Sequence, residues 1–489
     1  MNNSETLKKQ AVKGAFWTSI EKFSSQILQF VIGIILARLL SPSDFGVVGM
    51  LSVFLLIAQT FIDSGFSIAL IRKSQCTEND YSTAFYFNIF VGIVLYFLFF
   101  FSSGLIADFY NVPELENLTK FASLNLLIMS FSIVQRAIFI KKINFKIIAI
   151  VSLISVSVSG AIGIFLAYNN GGIWSLVVQA LLNSLLTSIL FWLFSEWRPR
   201  LLFSITSFRE MFLFGSKLLL TGLLSTFMSN LISLIIGKRY TSSDLGYYSR
   251  ADKFSQVPTS ALGSIFQSVL YPVFSKVQGD NNASISIQRK TLKTASCLIF
   301  FLMILLAALS QPIILFFLTS KWIDAVIILQ LLCFYQMFSH IHIINIILIQ
   351  IGGRSDVVLK CELIGIPITL LVLFVFMNYG LVSLCIGYII IRQIKLFISL
   401  YYTGKFYSYG YVKQMKDNLP YFFISIFCVS SVMCFVSYCN ISGYCIQILL
   451  TTVMSILLYI LFLYVKRDEV LFSLLSLMKK IYGKNKSFI

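Results

Sequence analysis

Charge is scarce in this sequence: Asp, Glu, Lys and Arg make up 12% of its 489 residues, and only 20 residues are acidic. Soluble domains are nearer a quarter charged, which excludes the ordinary soluble globular class. Histidine is rarer still, with two in the chain. No GxSxG, P-loop or GxGxxG motif occurs, and no His/Cys cluster has ligand spacing, so no metal and no cofactor is expected. Apolar residues, by contrast, reach 58%, with 47 Phe and 23 Tyr, and the mean hydropathy is +0.87. That excludes a disordered chain. Lys and Arg outnumber the acids by 38 to 20, a net charge of +18. They recur in small groups between long apolar runs instead of forming one patch, so nucleic acid is not the expected partner. The reading is an all-α polytopic membrane protein.

A spanning helix takes roughly 20 residues, so about 14 transmembrane helices would use roughly 300. The remainder leaves about a dozen residues per connection, too few for an extramembrane catalytic domain. Spans are expected near 13–40, 45–71, 82–107, 118–140, 147–168, 172–194, 208–237, 245–274, 294–318, 324–350, 356–378, 380–402, 419–438 and 443–465. The first run has no small-residue cleavage site and reads as a span, not a signal peptide. Ser41-Pro42-Ser43-Asp44, Asn169-Asn170-Gly171-Gly172 and Gly352-Gly353 supply turn chemistry between spans. The N-terminus and every second connection after it are basic, as in Arg72-Lys73, Lys141-Lys142 and Lys405 to Lys416. By the positive-inside rule both termini are cytoplasmic, and the net charge serves topology and attraction to membrane lipids. The run from Leu471 to Ile481 is expected to lie along the inner surface as an interfacial helix. Cys439 and Cys445 flank an outer loop where a disulfide is conceivable, but scattered packing thiols fit the nine cysteines better.

Residues 35–46 read ILARLLSPSDFG and residues 235–246 read IIGKRYTSSDLG. At a constant offset of 200, Ile35, Ser43, Asp44 and Gly46 meet Ile235, Ser243, Asp244 and Gly246, while Arg38 meets Lys238. Six spans separate the copies, so both face the same way, as in parallel repeats. The expected organisation is an N-terminal six-helix lobe over 1–200, a second over 201–403, and two further helices with the tail over 404–489. Arg38, Asp44, Gly46, Lys238, Asp244 and Gly246 are then structural residues of the repeated outer turn.

Charged side chains inside spans cost roughly 2.5–3.5 kcal/mol on insertion scales and so face protein or a wet cavity. Glu21, Ser25 and Gln29 share one face of the first span, and Lys217, Thr221, Ser225 and Ser229 occupy the corresponding region of the seventh. The second span carries Gln59, Asp63 and Ser67, and the eighth Arg250, Asp252, Lys253, Gln256 and Ser260. Lys22, Gln29, Lys217, Ser225, Arg250, Lys253 and Gln256 are the substrate-cavity candidates. Cations there suit an anionic headgroup such as pyrophosphate. Glu21 and Asp63, isolated acids of the first lobe's spans, are candidates for coupling to H⁺ or Na⁺. The bland alternative for Lys22 and Lys217 is a helix-end anchor whose chain snorkels out. His340 and His342 stand two apart on a helix and point about 200° away from each other, so they cannot share an ion.

The run Ile35 to Gly46 resembles the ILARLLSPxDFG signature of bacterial lipopolysaccharide and O-antigen flippases. These belong to the multidrug/oligosaccharidyl-lipid/polysaccharide exporter superfamily. Asp63-Ser64-Gly65-Phe66 with Ala69-Leu70-Ile71, FWLFSEWRPR at 191–200 and LGYYSRADK at 245–253 carry the same resemblance. It implies two lobes opening alternately and moving an undecaprenyl-pyrophosphate-linked oligosaccharide across the inner membrane, without enzymatic activity. Polysaccharide polymerase and assembly proteins are the implied partners. Two other readings stand beside it: a drug/cation antiporter of the same superfamily, and a membrane O-antigen polymerase or glycosyltransferase. The first would want acidic cavity residues, the second a substantial outer loop.

Overall fold

The computed structural model describes residues 2–473, apart from 64, 278, 279, 440 and 442, together with residue 476; the side chains of 2–13, 15, 16, 261–269, 271–273, 275 and 276 are not among those described. Most of the stretch expected to form an interfacial tail helix lies outside these residues. Among the described residues thirteen helical stretches, some of them interrupted, are long and apolar enough to cross a membrane. The eighth expected span is also one helix, Ser242–Lys276, but is not among the thirteen. The protein is thus a multi-pass helical membrane protein with close to the expected number of spans. It divides into two compact units, Met1–Ser249 and Arg250–Ile489.

The first unit holds α1 (Asn2–Leu39), α2 (Pro42–Asp63), α3 (Phe66–Arg72), α4 (Glu78–Tyr110), α5 (Glu114–Ala122), α6 (Leu124–Ser130), α7 (Ile133–Lys141), α8 (Phe145–Tyr168), α9 (Trp174–Phe194) and α10 (Ile205–Arg239), and ends in the first turns of α11 (Ser242–Lys276). Helix α1 packs along α8, α8 along α9, and α10 along α2. Lipid tails are as apolar as leucine, so association relies on close approach and polar contacts. Ser25 and Ser152 meet at 3.0 Å between α1 and α8, and a Cβ at Gly160 would run into Ile32. The fourth expected span, 118–140, is not one helix. It is α5, α6 and α7, interrupted at Ser123 and at Phe131-Ser132. Serines there return their hydroxyls to backbone carbonyls three residues back, Ser123 to Lys120 at 3.0 Å and Ser132 to Met129 at 3.0 Å.

One end of this unit is basic and tightly tied. Lys73 bridges Asp80 at 3.0 Å and Glu210 at 2.9 Å, while Thr77 and Asp80 form a capping box at the start of α4. The Lys141 ammonium donates to the Lys73 carbonyl at 2.6 Å and the Leu70 carbonyl at 3.2 Å. Glu210, and after it Asp80, hold the Lys73 ammonium above its ordinary range. The clamp is therefore fully present at neutral pH and is lost as pH rises through that raised value. Phe66, Leu70, Phe85, Val134 and Met211 pack a core beneath it.

The second unit continues α11 and adds α12 (Asn281–Ala308), α13 (Ser310–Phe317), α14 (Ala325–Met337), α15 (Ser339–Ile351), α16 (Ser355–Phe376), α17 (Leu381–Tyr407), α18 (Tyr411–Tyr438) and α19 (Tyr444–Val465). The tenth expected span is again two helices, α14 and α15, which meet at Phe338-Ser339. Helix α12 lies on α18 and α14, and α17 on α14, α15 and α16. A fully buried amide chain knits this unit. Gln288 donates to Asn345, and Asn345 and Gln414 exchange hydrogen bonds, all at 2.9 Å. Ser296 reaches Asn418 at 2.9 Å and the His340 imidazole at 2.8 Å. His342 turns instead to Ser399 on α17 at 3.1 Å, so the two histidines serve different neighbours. Cys439 and Cys445 are separate, exposed thiols.

Candidate functional site

The two repeated turns meet each other. In the first, Asp44 accepts from the Ser41 amide at 2.8 Å and the Ser41 hydroxyl at 2.7 Å, and its own amide returns to the Ser41 hydroxyl. In the second, Asp244 does the same with Thr241, at 3.0 Å and 2.7 Å. Each is a capping box with Asp as the reciprocating acid. A Cβ at Gly46 would overlap the carbonyl of Ser242, and a Cβ at Gly246 would overlap the carbonyl of Pro42. Since 42 + 200 = 242 and 46 + 200 = 246, the contact is isologous: each turn sets its glycine against the same position of the other. The Ser43 and Ser242 hydroxyls close it at 2.7 Å. Arg38 is exposed. Lys238 stacks over Phe109 at 4.8 Å and hydrogen-bonds the Phe109 carbonyl, tying the end of α10 to the end of α4.

Within the same unit, α1 exposes Ser19, Lys22, Gln26 and Gln29, spaced three or four apart and so on one face. Ser25 departs from the expected line, because it turns to Ser152; Glu21 is half-buried. Helix α10 exposes Lys217, Thr221, Ser225 and Ser229, a stripe with a strict four-residue spacing. Its neighbouring face meets α2, where Thr60 and Thr226 hydroxyls lie 3.2 Å apart. Further along, a Cβ at Gly65 would stand 2.6 Å from Gly215 Cα. Gly65 has φ of 74°, a conformation other residues rarely adopt. Helix α2 thus ends at Asp63, and Gly65 lets α10 press close just beyond it. The antiparallel run of these contacts sets Asp63 at the level of Lys217. Both are exposed, and no salt bridge among the described residues joins them.

In the second unit Arg250 is half-buried and Lys253 exposed, while the Gln256 amide donates to Asp252 at 2.7 Å. Arg392 lies over the Tyr335 ring at 4.3 Å, and Tyr335 stacks on Tyr388 at 4.1 Å. One turn further, Lys395 stands 3.7 Å from Glu362 on α16. Gly365 leaves room for it, since a Cβ there would meet Lys395 Cε at 2.9 Å. Lys360 pairs within its own helix with Asp356, at 3.5 Å. Arg392 and Lys395 are absent from the residues expected from sequence. The signal was nonetheless present: Arg392 sits at the middle of the 380–402 run, where insertion is most costly.

Glycine contacts, discontinuous spans and cations in apolar stretches define a polytopic helical membrane protein. Known proteins agree. The chain superposes on the structure of the lipid II flippase MurJ in an inward closed conformation with a TM-score of 0.72, at 17% identity, covering 92% of this chain and 98% of that one. In sequence it is 26% identical over 353 residues to the teichuronic acid biosynthesis protein TuaB of Bacillus subtilis, covering 72% of this chain and 73% of that protein. It is 27% identical over 334 residues to the lipopolysaccharide biosynthesis protein WzxC of Escherichia coli, covering 67% of each. Residues 35–327 match the family described as polysaccharide biosynthesis protein, and the chain belongs to that family.

Proposed function

We propose that this protein flips an undecaprenyl-pyrophosphate-linked oligosaccharide across the inner membrane by alternating access, for lipopolysaccharide, O-antigen or capsule assembly, and carries out no bond-making chemistry of its own. The observation that carries the reading is that Lys217 and Arg392 stand on membrane-length apolar helices, and Lys253 on α11, with no salt bridge among the described residues. Cations held there at a cost of a few kcal/mol each favour an anionic partner, and a pyrophosphate headgroup is one. A carrier of cationic drugs would want the opposite sign. The exposed hydroxyls and amides of α1 and α10, from Ser19 to Gln29 and from Thr221 to Ser229, suit sugar hydroxyls along the same path. Lys22, Gln29 and Ser225 in the first unit, and Arg250 and Gln256 in the second, are further candidates for contact with the substrate. The basic connections put both termini in the cytoplasm, and polymerase and assembly proteins would receive the product. Deleting the gene in its host is expected to remove the surface polysaccharide and to leave lipid-linked intermediates inside. A normal surface glycan without such intermediates would overturn the reading.

Asp63, at the end of α2, is the leading coupling residue for H⁺ or Na⁺, with Glu21 second. Asp63→Asn is expected to lower uptake of a lipid-linked glycan into inverted vesicles about tenfold, the scale of losing about 1.4 kcal/mol of coupling. It should also remove the dependence on an imposed ion gradient. An unchanged gradient response removes Asp63 from this role.

A further inference from the structure

The second unit contains a cavity of about 640 Å³ at the end where α12 begins. Its floor is one face of α12: Ser286, Arg289, Lys290 and Lys293 fall within about 100° of one another around the helix axis. Its wall is the segment after α19, which contributes Glu469 and Ser473. That segment is pinned in place. The Tyr421 hydroxyl on α18 donates to both carboxylate oxygens of Asp468, at 3.1 and 3.0 Å, and Asp468 accepts from the Val470 amide at 2.9 Å.

The charges in the cavity are incompletely answered. Lys293 and Glu469 stand 3.6 Å apart, longer than a charge-assisted hydrogen bond of about 2.7–2.9 Å. Arg289 gives one nitrogen to Asp417 at 2.7 Å yet keeps 54% of its side chain exposed. Lys290 has no salt bridge among the described residues. A basic connection that served orientation alone would need neither a walled cavity nor three cations converging on it. A compact anion with oxygen acceptors would satisfy them, Ser286 and Ser473 adding hydroxyl donors, while Ile285 and Val470 offer an apolar side.

We propose that this cavity holds the phosphodiester headgroup of an anionic phospholipid, at the inner face of the membrane. The side rests on the orientation proposed above; the binding does not depend on glycan transport. The test uses the purified full-length protein in neutral detergent and a titration with short-chain phosphatidylglycerol or phosphatidylcholine, read by native mass spectrometry. Phosphatidylglycerol should bind at least tenfold more tightly. Lys290→Gln alone should lose about fivefold and Lys290→Gln with Lys293→Gln should approach the phosphatidylcholine value, each cation counting for about fivefold. Lys321→Gln, outside the cavity, should bind as the parent does, and thermal unfolding in neutral detergent should be the same for all. Equal binding of the two lipids overturns the proposal, as does unchanged binding by the double variant. Full displacement of the lipid by an equal concentration of glycerol phosphate also overturns it, because the site would then belong to a soluble phosphate. Glycan flipping plays no part in the readout, so failure here leaves the transport reading standing, and failure of transport leaves this one standing.

Discussion

Gly246→Ala is expected to cut glycan flipping about a hundredfold while leaving the protein folded and inserted, and Gly46→Ala should do the same. The atom that an added Cβ meets is a backbone carbonyl, Pro42 for one glycine and Ser242 for the other. No rotamer can relieve that overlap, so the turns must part, and the 2.7 Å bond between Ser43 and Ser242 goes with them. Overpacking of this kind costs about 1–3 kcal/mol, and near 3 kcal/mol a two-state equilibrium moves roughly a hundredfold. The capping boxes of Asp44 and Asp244 are internal to each turn and survive, so the helices still start correctly. If the turns close in each transport cycle, the variants lose that closed state. Cysteines placed at 43 and 242 should cross-link readily in the parent and slowly beside Gly246→Ala. Gly49→Ala is the control. There a Cβ meets only the Leu245 side chain, at 3.3 Å, which can yield, and flipping should fall less than threefold. Normal flipping by Gly246→Ala would mean that the clasp is incidental to the cycle.

The clasp also shows what the sequence could and could not reveal. The two turns were legible as a repeat because a turn is local chemistry: Ser or Thr, two residues, Asp, then a glycine two further on. That they touch was not legible, since the offset of 200 says which residues correspond and nothing about where they meet. The spans were legible because hydropathy reports transfer into a bilayer. Their interruptions at Ser123, Phe131 and Phe338 were not, since runs 118–140 and 324–350 stay apolar through the breaks. A hydropathy pattern identifies the solvent of a helix and not its partners. That is why Ser25 could be placed on the same face as Glu21 and Gln29 yet belongs to the contact with α8, while Gln26 takes the exposed position. The exposed line on α10 was better conserved between reading and structure, because Lys217, Thr221, Ser225 and Ser229 repeat every fourth residue without a competing neighbour. The Asp63-Ser64-Gly65 motif was visible as a string; its meaning lies in the positive φ of Gly65 and in Gly215, 150 residues away.

Arg392→Gln is expected to reduce flipping by about 30- to 100-fold with little change in folding. Arg392 lies midway along α17, over the Tyr335 ring at 4.3 Å, and has no salt bridge among the described residues. A stacked guanidinium gains about 0.5–2 kcal/mol from the ring, less than the roughly 2.5–3.5 kcal/mol that an arginine costs at the centre of a span. Removing the charge should therefore leave thermal stability the same or raise it, and a residue kept only for structure would not behave so. If Arg392 grips a pyrophosphate, it does so with two donors in a plane, a geometry that lysine lacks. Charge-assisted bonds of this kind are worth about 1.5–3 kcal/mol each, which sets the expected loss. Arg392→Lys should recover part of the activity by charge alone, about a tenth of the parent. The ring under it offers a separate handle: Tyr335→Leu keeps the charge, frees its orientation, and should give an intermediate loss without lowering stability. The deciding comparison is flipping of a lipid-linked glycan against flipping of the same lipid bearing an uncharged headgroup. Arg392→Gln should impair the first and spare the second. Equal losses on both would assign Arg392 to the packing of α17 against α14 and away from the substrate.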